Sequence, residues 1–182
     1  MKASISLAFI FFFLLVGSEA FSQRAVVKTP RKTVVTGPRG TVIYKKKPVV
    51  VAPVKRISRH AVVVHYQTRP YYYHSGVFYV SRSGAYVQVV PPVGIRVAVL
   101  PPKYVRVVVG PSVYFYATGV FYVKDVSSAN YIVAKPPVGV VVATIPKEAA
   151  EVEFQGALCY EYNDVLYKPV PEDKSYQVVG EL

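Results

Sequence analysis

The sequence predicts an all-β protein: tandem small five-stranded antiparallel units, formed as SH3-like barrels or as stacked hairpins, that follow a disordered basic arm. Three observations lead there. Short runs rich in Val, Tyr, Phe and Ile alternate with turn residues along the C-terminal part of the chain, which is strand composition with turn punctuation. Residues 93–137 and 138–182 align with each other over 45 residues without a gap. Charge is divided unevenly: Phe21 to Arg69 holds 12 Lys or Arg and no Asp or Glu, whereas Pro70 to Leu182 holds nine of each.

Taken in order, residues 1–22 read as a signal peptide. Lys2 supplies a positive start, Ile5 to Val16 an apolar stretch, and Ser18, Ala20 and Ser22 the small residues of a cleavage region, with cleavage after Ala20 or Ser22. The apolar stretch is short for a spanning helix, so no transmembrane segment is expected in the mature chain. The expected location is exported: periplasmic, outer-membrane-associated or extracellular. Cys159 is the one cysteine, so no internal disulfide can form and packing must hold the fold.

Residues 23–60 read as the arm. Pro30, Pro38, Pro48 and Pro53 are strung among Lys, Arg and short valine runs, and proline's missing N–H and fixed φ argue against a continuous sheet or helix. Lys45, Lys46, Lys47, Lys55, Arg56 and Arg59 are the candidate polyanion contacts, with acidic glycan, peptidoglycan or an anionic membrane surface as the partner. A solvated spacer is the alternative reading of the same charge. The signal peptide carries the chain away from nucleic acid, which is therefore set aside as a partner.

Residues 61–92 read as a degenerate first unit. It keeps YYYHSGVFYV and YVQVVPP but loses its first strand, where Pro53 and Lys55-Arg56 interrupt the apolar pattern. Residues 93–137 should form strands near Ile95–Leu100, Tyr104–Val109, Val113–Tyr116, Val120–Val123 and Tyr131–Ala134, and residues 138–182 the same set again. Ser75-Gly76, Thr118-Gly119 and Asn163-Asp164 are pairs suited to hairpin turns with positive φ. Alternation sends Val105, Val107 and Val109 to one face, matched by Ala150, Val152 and Phe154. Arg106 and Glu151 then occupy equivalent outward sites with opposite sign.

PPVG at Pro91–Gly94 and Pro136–Gly139, LPP at Leu100–Pro102, and GVFY at Gly76–Tyr79 and Gly119–Tyr122 together resemble a family of unknown function of secreted bacterial proteins. Its tandem tyrosine-rich repeats carry PPxG, LP and YYxxxGxYY motifs. The resemblance spans about Pro70 to Leu182, and the last unit departs from it with Asp164-Val165-Leu166-Tyr167. It implies compartment and fold type and supplies no catalytic residues.

Tyr72, Tyr73, Tyr79, Phe115, Tyr116, Tyr122 and Tyr167 are candidate ligand contacts, able to stack on a sugar face, or else sheet filling. His60, His65 and His74 show no metal-ligand spacing, and Cys159 sits in an apolar strand as a buried structural thiol. Glu148, Glu151, Glu153, Glu161 and Asp164 form no recognisable catalytic pair, and no nucleophile, phosphate-loop or metal motif occurs. The expectation is a non-enzymatic cell-envelope protein with no cofactor, in a structural or interaction role that includes an envelope protein as a candidate partner. The alternative is a binding module acting through the arm and the tyrosine hairpins.

Overall fold

The structure, a computed structural model, describes residues 25–28, 33–37, 40–45 and 51–182. The residues read as a signal peptide lie outside them, as do Lys46 and Lys47. Among the described residues three open antiparallel sheets form, and none closes into a barrel.

Three strands come from the basic segment: β1 (Ala25–Lys28), β2 (Thr33–Gly37) and β3 (Gly40–Tyr44). The first unit follows with β4 (Val62–Tyr66), β5 (Arg69–His74), β6 (Val77–Arg82) and β7 (Ala85–Val89), a four-stranded sheet in sequence order. The second unit has β8 (Arg96–Val97), β9 (Val105–Val109), β10 (Ser112–Ala117), β11 (Val120–Lys124) and β12 (Tyr131–Ala134), ordered β8-β12-β11-β10-β9. The third repeats that arrangement with β13 (Val141–Val142), β14 (Ala150–Phe154), β15 (Ala157–Tyr162), β16 (Val165–Val170) and β17 (Ser175–Glu181). A one-turn 3-10 segment, Pro171–Asp173, precedes β17.

The expected five strands therefore form in the second unit, although the first is cut to two residues. So short a first strand pairs only with the last, leaving β9 at an open edge, and this is why the barrel alternative fails. In the first unit the corresponding strand shrinks to one bridge between Val54 and Tyr86, with reciprocal backbone bonds of 2.9 and 2.8 Å. Unit one thus begins before residue 61.

The arm departs most from expectation. Pro30 and Pro38 fall between the three strands, and Pro48 and Pro53 after β3, so none of them interrupts a run that pairs. β3 joins the edge of β14, with Val42, Ile43 and Tyr44 opposite Phe154, Glu153 and Val152, and β1 and β2 extend the sheet outward. An edge with an available ladder supplies the partners that an isolated tether lacks.

Strand alternation gives each unit a front and a back face, and the sheets pack back to front. Tyr73 and Phe78 on the back of unit one meet Val97, Val120, Tyr122 and Val133 on the front of unit two. Tyr116 and Phe121 on the back of unit two meet Val142, Val165, Tyr167 and Val178 of unit three. The back of unit three, with Val152, Cys159 and Leu166, packs with Val35, Val42 and Tyr44 from the arm.

The contacts between units repeat with the sequence. Tyr73 Oη donates to the Val99 carbonyl at 2.9 Å, and Tyr116 Oη to the Thr144 carbonyl at 3.0 Å. Tyr73 stacks on Phe78 and Tyr116 on Phe121, both with ring centres 4.8 Å apart. A Cβ built at Gly76 would lie 2.9 Å from Pro101, and one at Gly119 would lie 3.0 Å from Pro146 and clash with Cδ1 and Cε1 of Tyr162. The tyrosine and glycine of one hairpin therefore receive the Leu-Pro or Ile-Pro step of the next unit. In unit three Glu161 takes the tyrosine's place and Asp164 the glycine's, and there the arm arrives instead: Tyr44 Oη donates to Glu161 Oε2 at 3.1 Å. Asp164 keeps the same left-handed backbone, φ 64°, that glycine serves elsewhere.

Candidate functional site

The seven candidate aromatic contacts separate by face. Tyr73, Tyr116, Tyr122 and Tyr167 lie inside the layers between sheets, buried beyond the reach of a ligand in solvent. These four are structural, because the alternation that set them on the sheets also pointed them at a neighbouring sheet. Burial pushes the Tyr73 and Tyr116 phenols up to about 12 and drives those of Tyr122 and Tyr167 further up. Among the described residues the hydroxyls of Tyr122 and Tyr167 meet no hydrogen-bond geometry, and each interacts electrostatically with the phenol of the neighbouring unit, Tyr73 and Tyr116 respectively.

Phe115 is half-buried at the rim between Tyr104 and Tyr131, with ring centres 5.5 and 5.3 Å away and both contacts edge-to-face. Equivalent edge-to-face pairs recur in the other units, Tyr72 with Tyr86 at 5.0 Å and Tyr160 with Tyr176 at 5.6 Å. Tyr72, Tyr79 and Tyr86 share the front face of unit one and are all half-buried.

That face differs from its two counterparts. Tyr79 is equivalent to Tyr122 and Tyr167, which are 0% exposed, and Gln88 is equivalent to the buried Val133 and Val178. No sheet covers the front of unit one among the described residues, and Val63 and His65 lie exposed on it. A glutamine where the covered units carry valine fits an unsealed surface.

The strap leading into unit one brings the basic candidates to this place. Val54 bridges to Tyr86, and Lys55, Arg56 and Arg59 follow at once, all exposed. Residues 51–92 contain these three with Arg69, Arg82, all three histidines and no acid. Lys45 lies elsewhere, exposed at the end of β3, with its backbone N–H donated to the Glu151 carbonyl at 3.1 Å. The polyanion candidates thus fall into two places, a group on unit one and Lys45 beside unit three.

Sequence reading missed a charge division inside the repeats. Summed from Pro70 onward the chain is neutral, yet residues 138–182 hold eight acids against Lys147, Lys168 and Lys174. Position against the repeat boundaries would have exposed this, and it sets the basic arm against the acidic unit on which it docks.

Two other features are structural. Asp125 caps the β11–β12 connection by accepting from the Ser127 hydroxyl (2.6 Å) and backbone N–H (2.9 Å), Arg96 Nε (3.1 Å) and the Ser128 hydroxyl (3.0 Å). These bonds, the Ser127 hydroxyl foremost, hold its carboxyl well below the usual range. Cys159 is buried under the arm, and burial pushes its thiol up, away from nucleophilic character. No cluster of three metal-binding side chains occurs among the described residues, and no helix there is long and apolar enough to cross a membrane.

Comparison with known families matches residues 48–181 to the Family of unknown function (DUF6515). No curated protein and no solved structure matches the chain.

Proposed function

For this chain, which belongs to that family of unknown function, we propose an exported, non-enzymatic role in the cell envelope, with the front of unit one as the surface that holds an acidic glycan. The observation that carries the reading is the contrast between equivalent faces. The fronts of units two and three are sealed by a neighbouring sheet, while that of unit one leaves Tyr72, Tyr79 and Tyr86 half-buried, and the exposed Lys55, Arg56 and Arg59 follow in the chain directly after Val54, which bridges to Tyr86. Half-buried tyrosines offer flat faces to a sugar ring with little entropy left to lose, and an acid-free basic strap attracts carboxylates over a distance set by salt. Export, read from residues 1–22, places such a polymer within reach.

The test is retention of the mature protein on alginate, isolated peptidoglycan and phosphatidylglycerol vesicles across a salt series. Wild type is compared with a Lys55→Gln, Arg56→Gln, Arg59→Gln variant and with Tyr72→Ala. Binding to alginate that weakens with salt and falls at least about tenfold in both variants supports the proposal. Retention unchanged in both would remove it. Binding to vesicles alone would assign the surface to lipid head groups and overturn the glycan reading.

A further inference from the structure

The third unit shows what the edge of a unit's second strand can do. Its two-residue turn, Gln155-Gly156, makes Phe154 and Ala157 a bonded pair, so Val152 and Phe154 face β15 with their backbone groups and Glu151 and Glu153 direct theirs outward. That outward ladder is in use, for the Glu151 carbonyl receives the Lys45 N–H at 3.1 Å and β3 pairs along the strand. An acidic edge has taken a strand from a basic segment.

β9 is the equivalent strand in unit two, closed by the two-residue turn Gly110-Pro111 between Val109 and Ser112. By the same parity Arg106 and Val108 direct their N–H and carbonyl groups away from β10, and among the described residues β9 pairs with β10 alone. Its surface is apolar and open: Tyr104, Val105 and Val108 are exposed by 47%, 55% and 57%. Its charge is reversed, with exposed Arg106 at the position of Glu151 and Lys103 exposed just before the strand. Neither a proline nor a bulge interrupts the five residues. At the corresponding sites β4 carries Val63 and His65, with no formal charge, so the charge reversal is particular to β9.

We infer that the free edge of β9 is a docking site for an extended strand of a partner protein, one that alternates apolar and acidic residues. Backbone bonds from Arg106 and Val108 give it affinity, valine and tyrosine side chains cover the apolar positions, and Arg106 with Lys103 selects acidic neighbours. The surface lies on unit two and does not depend on the glycan face of unit one.

The test uses a fluorescein-labelled, end-capped hexapeptide of alternating valine and glutamate, with the valine–lysine hexapeptide as control, titrated into the full mature protein by anisotropy. The acidic peptide should bind saturably and at least about tenfold more tightly than the basic one. Val108→Pro removes one outward N–H without a change of charge and should weaken binding about tenfold, and Arg106→Glu should reverse the preference. If Val108→Pro fails to fold, amide exchange in the wild type decides the matter: the peptide should protect the Arg106 and Val108 amides. Saturable binding with no protection there would locate the peptide elsewhere and overturn the inference, as would the absence of binding.

Discussion

Replacing Gly119 by alanine isolates the contact by which one hairpin receives the next unit. Two costs apply. The backbone at Gly119 has φ 80°, where an L-residue loses about 1–2 kcal/mol. The new methyl group would also clash with Cδ1 and Cε1 of Tyr162 and lie 3.0 Å from Pro146, and forcing a methyl into a filled site costs about 1–3 kcal/mol more. Gly84→Ala is the control, since φ is 75° and nothing lies within 4 Å of its built Cβ, so only the backbone cost applies. The packing term alone separates the variants, and for a chain of this size it corresponds to a thermal midpoint about 2–12 °C lower for Gly119→Ala than for Gly84→Ala. Thermal denaturation followed by circular dichroism reads the difference directly. Midpoints within about 1 °C of each other would refute the claim that the Ile145-Pro146 step seats against this hairpin, and with it the back-to-front packing derived from the repeat.

Three further outcomes follow from the same contacts. Tyr116→Phe removes the 3.0 Å bond to the Thr144 carbonyl and should cost about 0.5–1.5 kcal/mol, whereas Tyr122→Phe removes a buried hydroxyl that meets no hydrogen-bond geometry among the described residues and should cost less; urea unfolding compares the two. Cys159 should resist a thiol reagent in the intact protein and react at least tenfold faster when residues 23–45 are deleted, because Val35, Val42 and Tyr44 help bury it; equal rates would place the arm elsewhere in solution. Tyr73 and Tyr116 titrate near 12 in the fold against about 10 unfolded, so the unfolded state loses its protons first and stability declines as pH rises from about 10 toward 12. Tyrosinate absorbance from these residues should then appear together with unfolding, and a smooth titration near pH 10 in a still-folded protein would contradict their burial.

Several of these contacts were already legible as motifs. The Leu-Pro step and the tyrosine-glycine hairpin stand out in the sequence because each unit repeats them, and the structure shows why they travel together: Pro101 sits against Gly76 and the Val99 carbonyl accepts from Tyr73. The departure of the last unit, with Glu161 and Asp164, has the same cause in reverse, since the arm meets that face and no Leu-Pro step does. The candidate site was legible only in its ingredients. Tyrosines and basic residues could be singled out, but their meeting on unit one depends on the bridge from Val54 to Tyr86, which leaves no trace in composition.

Local chemistry by itself determined the strands, the positive-φ hairpins and the 45-residue offset, because period-two alternation and turn preferences act between residues close in the chain. Tertiary structure decided the rest. Tyr79, Tyr122 and Tyr167 occupy equivalent positions on equivalent strands, and only Gln88 opposite Tyr79, in place of Val133 and Val178, hints at a difference; the presence or absence of a covering sheet makes two of them core and leaves one half-buried. The arm's fate was likewise settled at a distance. Its valine-rich runs can pair only where an edge is offered, and the edge offered by β14 lies more than a hundred residues away in an acidic unit that attracts it.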